Sequence, residues 1–149
     1  MKKILVINLG WEQEPLLDLI DNQNLDIYGI HNNSNYYKKP RYRDILIADF
    51  RDLSRLMQYA DKIRPDAVIS DQCDYSQFAQ AVICERFGLP GPRISEAHIG
   101  CNKYLQRLRC KKTCVRSPDF ALCLCVDDVR SFAKKKGFPV IVKPIDNRG

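Results

Sequence analysis

The sequence predicts an α/β fold: an open, largely parallel sheet with helices on both faces, followed by a second, smaller unit. Short apolar runs alternate with helix-spaced apolar patterns over residues 3–87. The connections between them are mostly short, as consecutive strand–helix units require. A break at Leu89-Pro90-Gly91-Pro92 then interrupts the pattern and reads as a linker.

Residues 3–9 read as a buried strand. The apolar stretch is too short for a signal peptide and runs into Asn8, Gly10, Glu12 and Glu14 without a small-residue cleavage site, so the expected location is the cytoplasm. Residues 14–20 place Leu16, Leu17 and Ile20 at helical spacing. A second strand covers 25–31, a polar loop 32–43 and a third strand 45–48. Leu53, Leu56, Met57, Ala60 and Ile63 mark one face of a helix over 52–63, which Pro65 stops. A fourth strand covers 67–70. Asp74 is expected to cap the next helix, with Gln77 completing a capping box. That helix runs to Phe87, with Gly88 suited to the left-handed terminal position and Pro90 beyond.

The first domain thus occupies residues 1–90 and the second 91–149. The second reads as a short helix at 95–99, a turn at Gly100, a basic helix at 103–114, a weakly alternating strand at 120–125, a helix at 127–136 ended by Gly137, and a strand at 139–143.

Net charge is +6, from 24 basic and 18 acidic residues, which favours anionic partners. The basic residues are spread over several elements and form no nucleic-acid motif, so a nucleic-acid binder ranks last. No apolar run is long enough to span a bilayer. The seven cysteines are odd in number and lack zinc-knuckle spacing, so they read as buried free thiols, with no metal site assigned.

The first strand–helix turn, Asn8-Leu9-Gly10-Trp11-Glu12, has one glycine rather than the three of a dinucleotide fingerprint. In an open parallel sheet, ligands bind outside the carboxyl ends of the strands. Those ends offer Gly10, His31, Asp49 and the turn from Asp71 to Asp74. Gly10 and Asp71 are the substrate-contact candidates, while Asp74 is assigned to capping. In the second domain, Lys143 closes an apolar strand, where an unpaired ammonium would be costly and a phosphate would suit it. Lys103 opens a helix directly after Asn102.

Four motifs occur in one order: Gly88-Leu89-Pro90-Gly91-Pro92, Asn102-Lys103, Ser117-Pro118-Asp119-Phe120, and Gly137-Phe138-Pro139-Val140-Ile141-Val142-Lys143-Pro144. That order resembles the ATP-grasp superfamily, which includes biotin carboxylase, the synthetase subunit of carbamoyl phosphate synthase and related carboxylate–amine ligases. The resemblance covers the whole chain. It implies a Rossmann-like pre-ATP-grasp domain followed by the start of an α+β ATP-grasp domain. It also implies that Lys103 and Lys143 contact ATP phosphates. Where the family often has Asp, this chain has Asn102.

The family's glycine-rich phosphate loop would begin at Asp146-Asn147-Arg148-Gly149. Its magnesium ligands and adenine-binding strand lie further on, so no catalytic residue or metal ligand is assigned. The resemblance implies ATP and Mg as cofactors and activation of a carboxylate as an acyl phosphate for attack by an amine or thiol. The chain is therefore expected to be an N-terminal piece of such a ligase, inactive alone. Its expected partners are nucleotide and a small carboxylate, and a complementary C-terminal half in trans and a homo-oligomer both stay open. The alternative is a non-catalytic Rossmann-like module that binds a small anion or a protein.

Overall fold

The computed structural model describes residues 1–146. The chain divides into two compact units, Met1–Ala97 and a second from His98 onward. The division falls inside helix α4 (Ile94–Gly100).

In the first unit, β1 (Lys2–Ile7), β2 (Leu25–His31), β3 (Tyr42–Ile47) and β4 (Ala67–Ser70) form one parallel sheet in the order β3-β2-β1-β4. Successive side chains of a strand point to opposite faces. Along β1, Leu5 and Ile7 join Ile30, Val68 and the apolar sides of α2 (Leu53–Ile63) and α3 (Asp74–Phe87). Ile4 and Val6 join Ile27 and, from α1 (Glu14–Asp21), Leu17 and Ile20. The sheet is therefore covered on both faces, and its central strands read as unbroken apolar runs.

The helix ends follow local chemistry. A proline in the first turn starts α1, where its missing N–H costs nothing. Asp52 Oδ1 accepts from Arg55 N–H at 3.2 Å to cap α2, and Arg64 closes that helix in the left-handed region (φ 54°) ahead of Pro65. Gly88 closes α3 (φ 64°), its N–H reaching the carbonyls of Cys84 and Glu85. The start of α3 differs from expectation. The cap position is Cys73, without a side-chain capping bond, and Asp74 lies inside the first turn. Cys73 packs into the core and enters extended (φ −152°), which sets the helix start one residue earlier than the capping box implied. Asp74 there still carries its charge at the positive end of the helix.

The second unit contains α5 (Lys103–Lys112) and α6 (Val126–Lys136). Asn102 Oδ1 accepts from Leu105 N–H at 3.0 Å and caps α5. Asp128 Oδ2 accepts from the N–H groups of Leu124 and Cys125 at 2.8 and 3.1 Å and caps α6. Those backbone donors hold its carboxyl below the ordinary value. The strands expected at 120–125 and 139–143 are irregular segments. Extended residues become a strand only with a ladder partner, and neither segment pairs with one among the described residues.

Candidate functional site

The sheet order puts β1 between β2 and β4, so the chain leaves β1 toward one side first and later returns to the other. This is a topological switch point, and the crevice outside the carboxyl ends of β1 and β4 is where such sheets bind ligands. Gly10 follows β1 and Asp71 follows β4. The structure ties them together through two side chains. Gln13 Nε2 and Asn8 Nδ2 donate to the carbonyl of Asp71 at 3.1 and 3.4 Å, while Gln13 N–H donates to the carbonyl of Gly10 at 3.2 Å. Asn8 adopts a left-handed conformation (φ 76°) at this turn. A Cβ on Gly10 would sit 3.1 Å from Gln13 Oε1, so the glycine lets the turn close over that amide. The Asp71 carboxylate itself remains exposed and accepts from Gln72 N–H at 2.9 Å.

Gln13 is a residue of this candidate edge that sequence reasoning did not single out. It lies in a short 3-10 turn, Trp11–Gln13, is fully buried, and joins both candidate residues. Nothing in its neighbourhood, a polar stretch before Pro15, marks it as buried. The other two carboxyl-edge residues are engaged structurally. His31 is buried, and its Nδ1 accepts from Leu9 N–H at 3.0 Å. Asp49 is paired with Arg51 (Oδ2 to a guanidinium nitrogen, 2.7 Å), which holds its carboxyl down to about 2. The same guanidinium lies 5.5 Å from the ring centre of Tyr75.

In the second unit, Lys103 is the first residue of α5 and is half-buried, while Lys143 is exposed. The backbone N–H of Lys103 donates to the carbonyl of Ile145 at 2.7 Å. This brings the segment that carries Lys143 against the start of α5. Of the expected glycine-rich loop entry at 146–149, residues 147–149 lie outside the described residues. Among the described residues, no group of three or more His, Cys, Asp or Glu side chains is arranged to hold a metal ion. No helix among them is long and apolar enough to cross a membrane. All seven cysteines are free thiols, and Cys73 and Cys84 are buried.

Neither a protein-family model nor a curated protein sequence matches the chain. Solved structures do. The L-amino acid ligase from Bacillus licheniformis matches with a TM-score of 0.81 at 16% identity, over 99% of this chain and 38% of that one. The phosphoribosylglycinamide synthetase from Anaerococcus prevotii matches with a TM-score of 0.74 at 20% identity, over 97% of this chain and 37% of that one. The N5-carboxyaminoimidazole synthetase from Staphylococcus aureus, complexed with ADP, matches with a TM-score of 0.75 at 14% identity, over 99% of this chain and 39% of that one. Identities this low establish shared fold. The chain shares with these ligases and synthetases a mixed α/β fold, built here on a four-stranded parallel sheet. It spans less than two-fifths of the length of these structures.

Proposed function

We propose that this chain is the N-terminal part of an ATP-dependent ligase that joins a carboxylate to an amine or thiol, with Lys103 and Lys143 contacting the ATP phosphates. In this reading residues 1–90 are the pre-ATP-grasp domain and 91–149 open the ATP-grasp domain. The observation that carries it is the bond from Lys103 N–H to Ile145 O, which draws two lysine-bearing segments together. Lysine ammonium groups suit phosphate as point-charge donors. The ADP complex of the Staphylococcus aureus synthetase supports a nucleotide as the ligand.

In the proposed reaction the γ-phosphoryl group moves from ATP to a carboxylate oxygen, leaving ADP. The amine or thiol then attacks the acyl carbon and loses its proton, and inorganic phosphate departs. Magnesium, when bound, neutralises charge on the phosphates. Its ligands and the adenine contacts belong, in this reading, to a C-terminal region supplied in the same polypeptide or in trans. The exposure of Phe138 (83%) and Ile141 (82%) favours such a region, because a run of bare apolar side chains suits packing against more protein. Gly10 and Asp71 are the substrate-side contacts, at the β1–β4 switch point.

Calorimetric titration with magnesium and ATP, on the native chain and on Lys103→Ala and Lys143→Ala variants, tests the assignment. Binding that either substitution abolishes supports it. Binding that survives both substitutions removes the two lysines from the site. A second reading, a non-catalytic module binding a small anion or a protein, is favoured by the first unit's own two-sided core. A module of that kind binds through Gly10 and Asp71 and is indifferent to Lys143→Ala.

A further inference from the structure

We propose that the cleft between α5 and the segment following it, residues 114–122, is a binding site for a small aromatic carboxylate. The cleft is open, with most of its lining exposed, and has a volume of about 700 Å³, within the span of roughly 300–1,000 Å³ typical of small-molecule sites. It lies wholly within the second unit and shares no residue with the nucleotide reading, so the two stand or fall separately.

Its lining divides by chemistry. Tyr104 and Phe120 meet edge to face, with ring centres 5.8 Å apart, and Leu108 and Val115 complete an apolar wall. Aromatic pairs prefer this geometry, and a third ring can join it offset or edge-on. Lys111 and Arg116 supply positive charge on the same lining, and neither forms an ion pair among the described residues. The acid of the lining, Asp119, is already neutralised by Lys136 at 2.8 Å. The helix behind the cleft carries Arg107, Arg109, Lys111 and Lys112 and no acidic residue. The local field therefore selects an anion, and the planar fork of Arg116 matches a carboxylate.

Backbone geometry fixes where Arg116 emerges. Cys114 turns the chain in the left-handed region (φ 55°), and Val115 N–H returns to the carbonyl of Cys110 at 2.9 Å. Exposed cations attract weakly in water. A charge alone would not hold the ligand, and an aromatic body seated on the apolar wall is needed as well.

The test is an amide-shift titration of the whole ¹⁵N-labelled chain with 3-phenylpropionate, repeated with 3-phenylpropylamine, which has a similar body and the opposite charge. The expected result is saturable shifts at Leu108, Lys111, Val115, Arg116 and Phe120 with the carboxylate and far weaker ones with the amine. The Lys111→Gln/Arg116→Gln variant is expected to bind the carboxylate about tenfold more weakly. Shifts that never saturate, an amine that binds as well as the acid, or a folded double variant with unchanged affinity would each overturn the proposal. The comparison of the two ligands on the native chain holds even if the variant loses its fold.

Discussion

The amide of Lys103 and the carbonyl of Ile145 are 2.7 Å apart, so the first residue of α5 and the segment just beyond Lys143 are held by one backbone hydrogen bond. The position of Lys103 depends in turn on the cap beside it, Asn102 Oδ1 to Leu105 N–H at 3.0 Å. Asn102→Ala is expected to cost α5 about 1 kcal/mol and to raise amide exchange at Lys103 and Leu105. Asn102→Asp, the residue common in the resembling family, keeps the acceptor and adds a negative charge at the helix start, so it is expected to preserve protection. Exchange rates unaltered in the alanine variant would show that the cap does not hold this end.

Leu9 N–H donates to His31 Nδ1 in a buried setting. The bond requires a ring with no proton on that nitrogen. His31→Leu keeps bulk and removes the acceptor, so it is expected to lower stability by about 1–3 kcal/mol, read from urea unfolding. Because Leu9 closes the turn that carries Gly10, the same variant should also loosen Gln13 from the Asp71 carbonyl. Amide shifts at Gly10 and Gln72 report on that.

The central strands were legible because they are buried on both faces, so β1 shows as Ile4, Leu5, Val6 and Ile7 without interruption. β3 is an edge strand, paired only with β2. Its first residues, Tyr42, Arg43 and Asp44, are half-buried or exposed and read as loop, which is why its start at Tyr42 was set at residue 45. The two strands expected in the second unit failed for the opposite reason. Alternation and an apolar run describe a face, but a ladder needs a partner elsewhere in the chain, which local pattern does not contain. Gly10 and Asp71 were nominated as candidates by a topological rule. Gln13, which joins them, could not be, because a buried glutamine has no periodic signature.

Gly91 lies under helix α3. A Cβ there would come within 2.6 Å of Cys84 Sγ and 2.9 Å of its Cβ. Cys84 is buried, and its Sγ lies 3.5 Å from the carbonyl of Pro90, so the side chain has little room to withdraw. Gly91→Ala is expected to destabilise the chain by about 1–3 kcal/mol. Adding Cys84→Ala removes the nearer contact and should restore part of that loss, a coupling that a double-mutant cycle measures directly. Additive losses would mean that the backbone at 91 moves away instead.

Arg51 holds the Asp49 carboxyl down to about 2 through its guanidinium and its backbone N–H. A depressed carboxyl stabilises the folded chain above its unfolded value of about 3.9, and that contribution disappears as pH falls through about 2. Both partners are exposed, so the effect on global unfolding is small. The carboxyl titration is the sharper readout. Its carbon resonance is expected to titrate at about 2 in the native chain and clearly higher in Arg51→Gln. A midpoint that ignores the substitution would assign the shift to something other than the pair.

Side-chain burial separates the two units in stability. The first buries residues on both faces of its sheet, from Leu5 and Leu56 on one side to Val6 and Leu17 on the other. Among the described residues from 98 onward, Ala133 alone is buried, while Leu124, Phe138, Ile141 and Val142 stand exposed. Apolar burial is the main stabilising term, at about 25 cal/mol per Å², so helices with little of it open locally at low cost. Native-state amide exchange should therefore show strong protection in β1, β2 and α3 and weak protection in α5 and α6. A protein or peptide that covers residues 138–145 should raise protection in the second unit while leaving β1 unchanged. Equal protection in both units of the isolated chain would contradict the burial argument. It would also remove the main reason for expecting a further region to pack there.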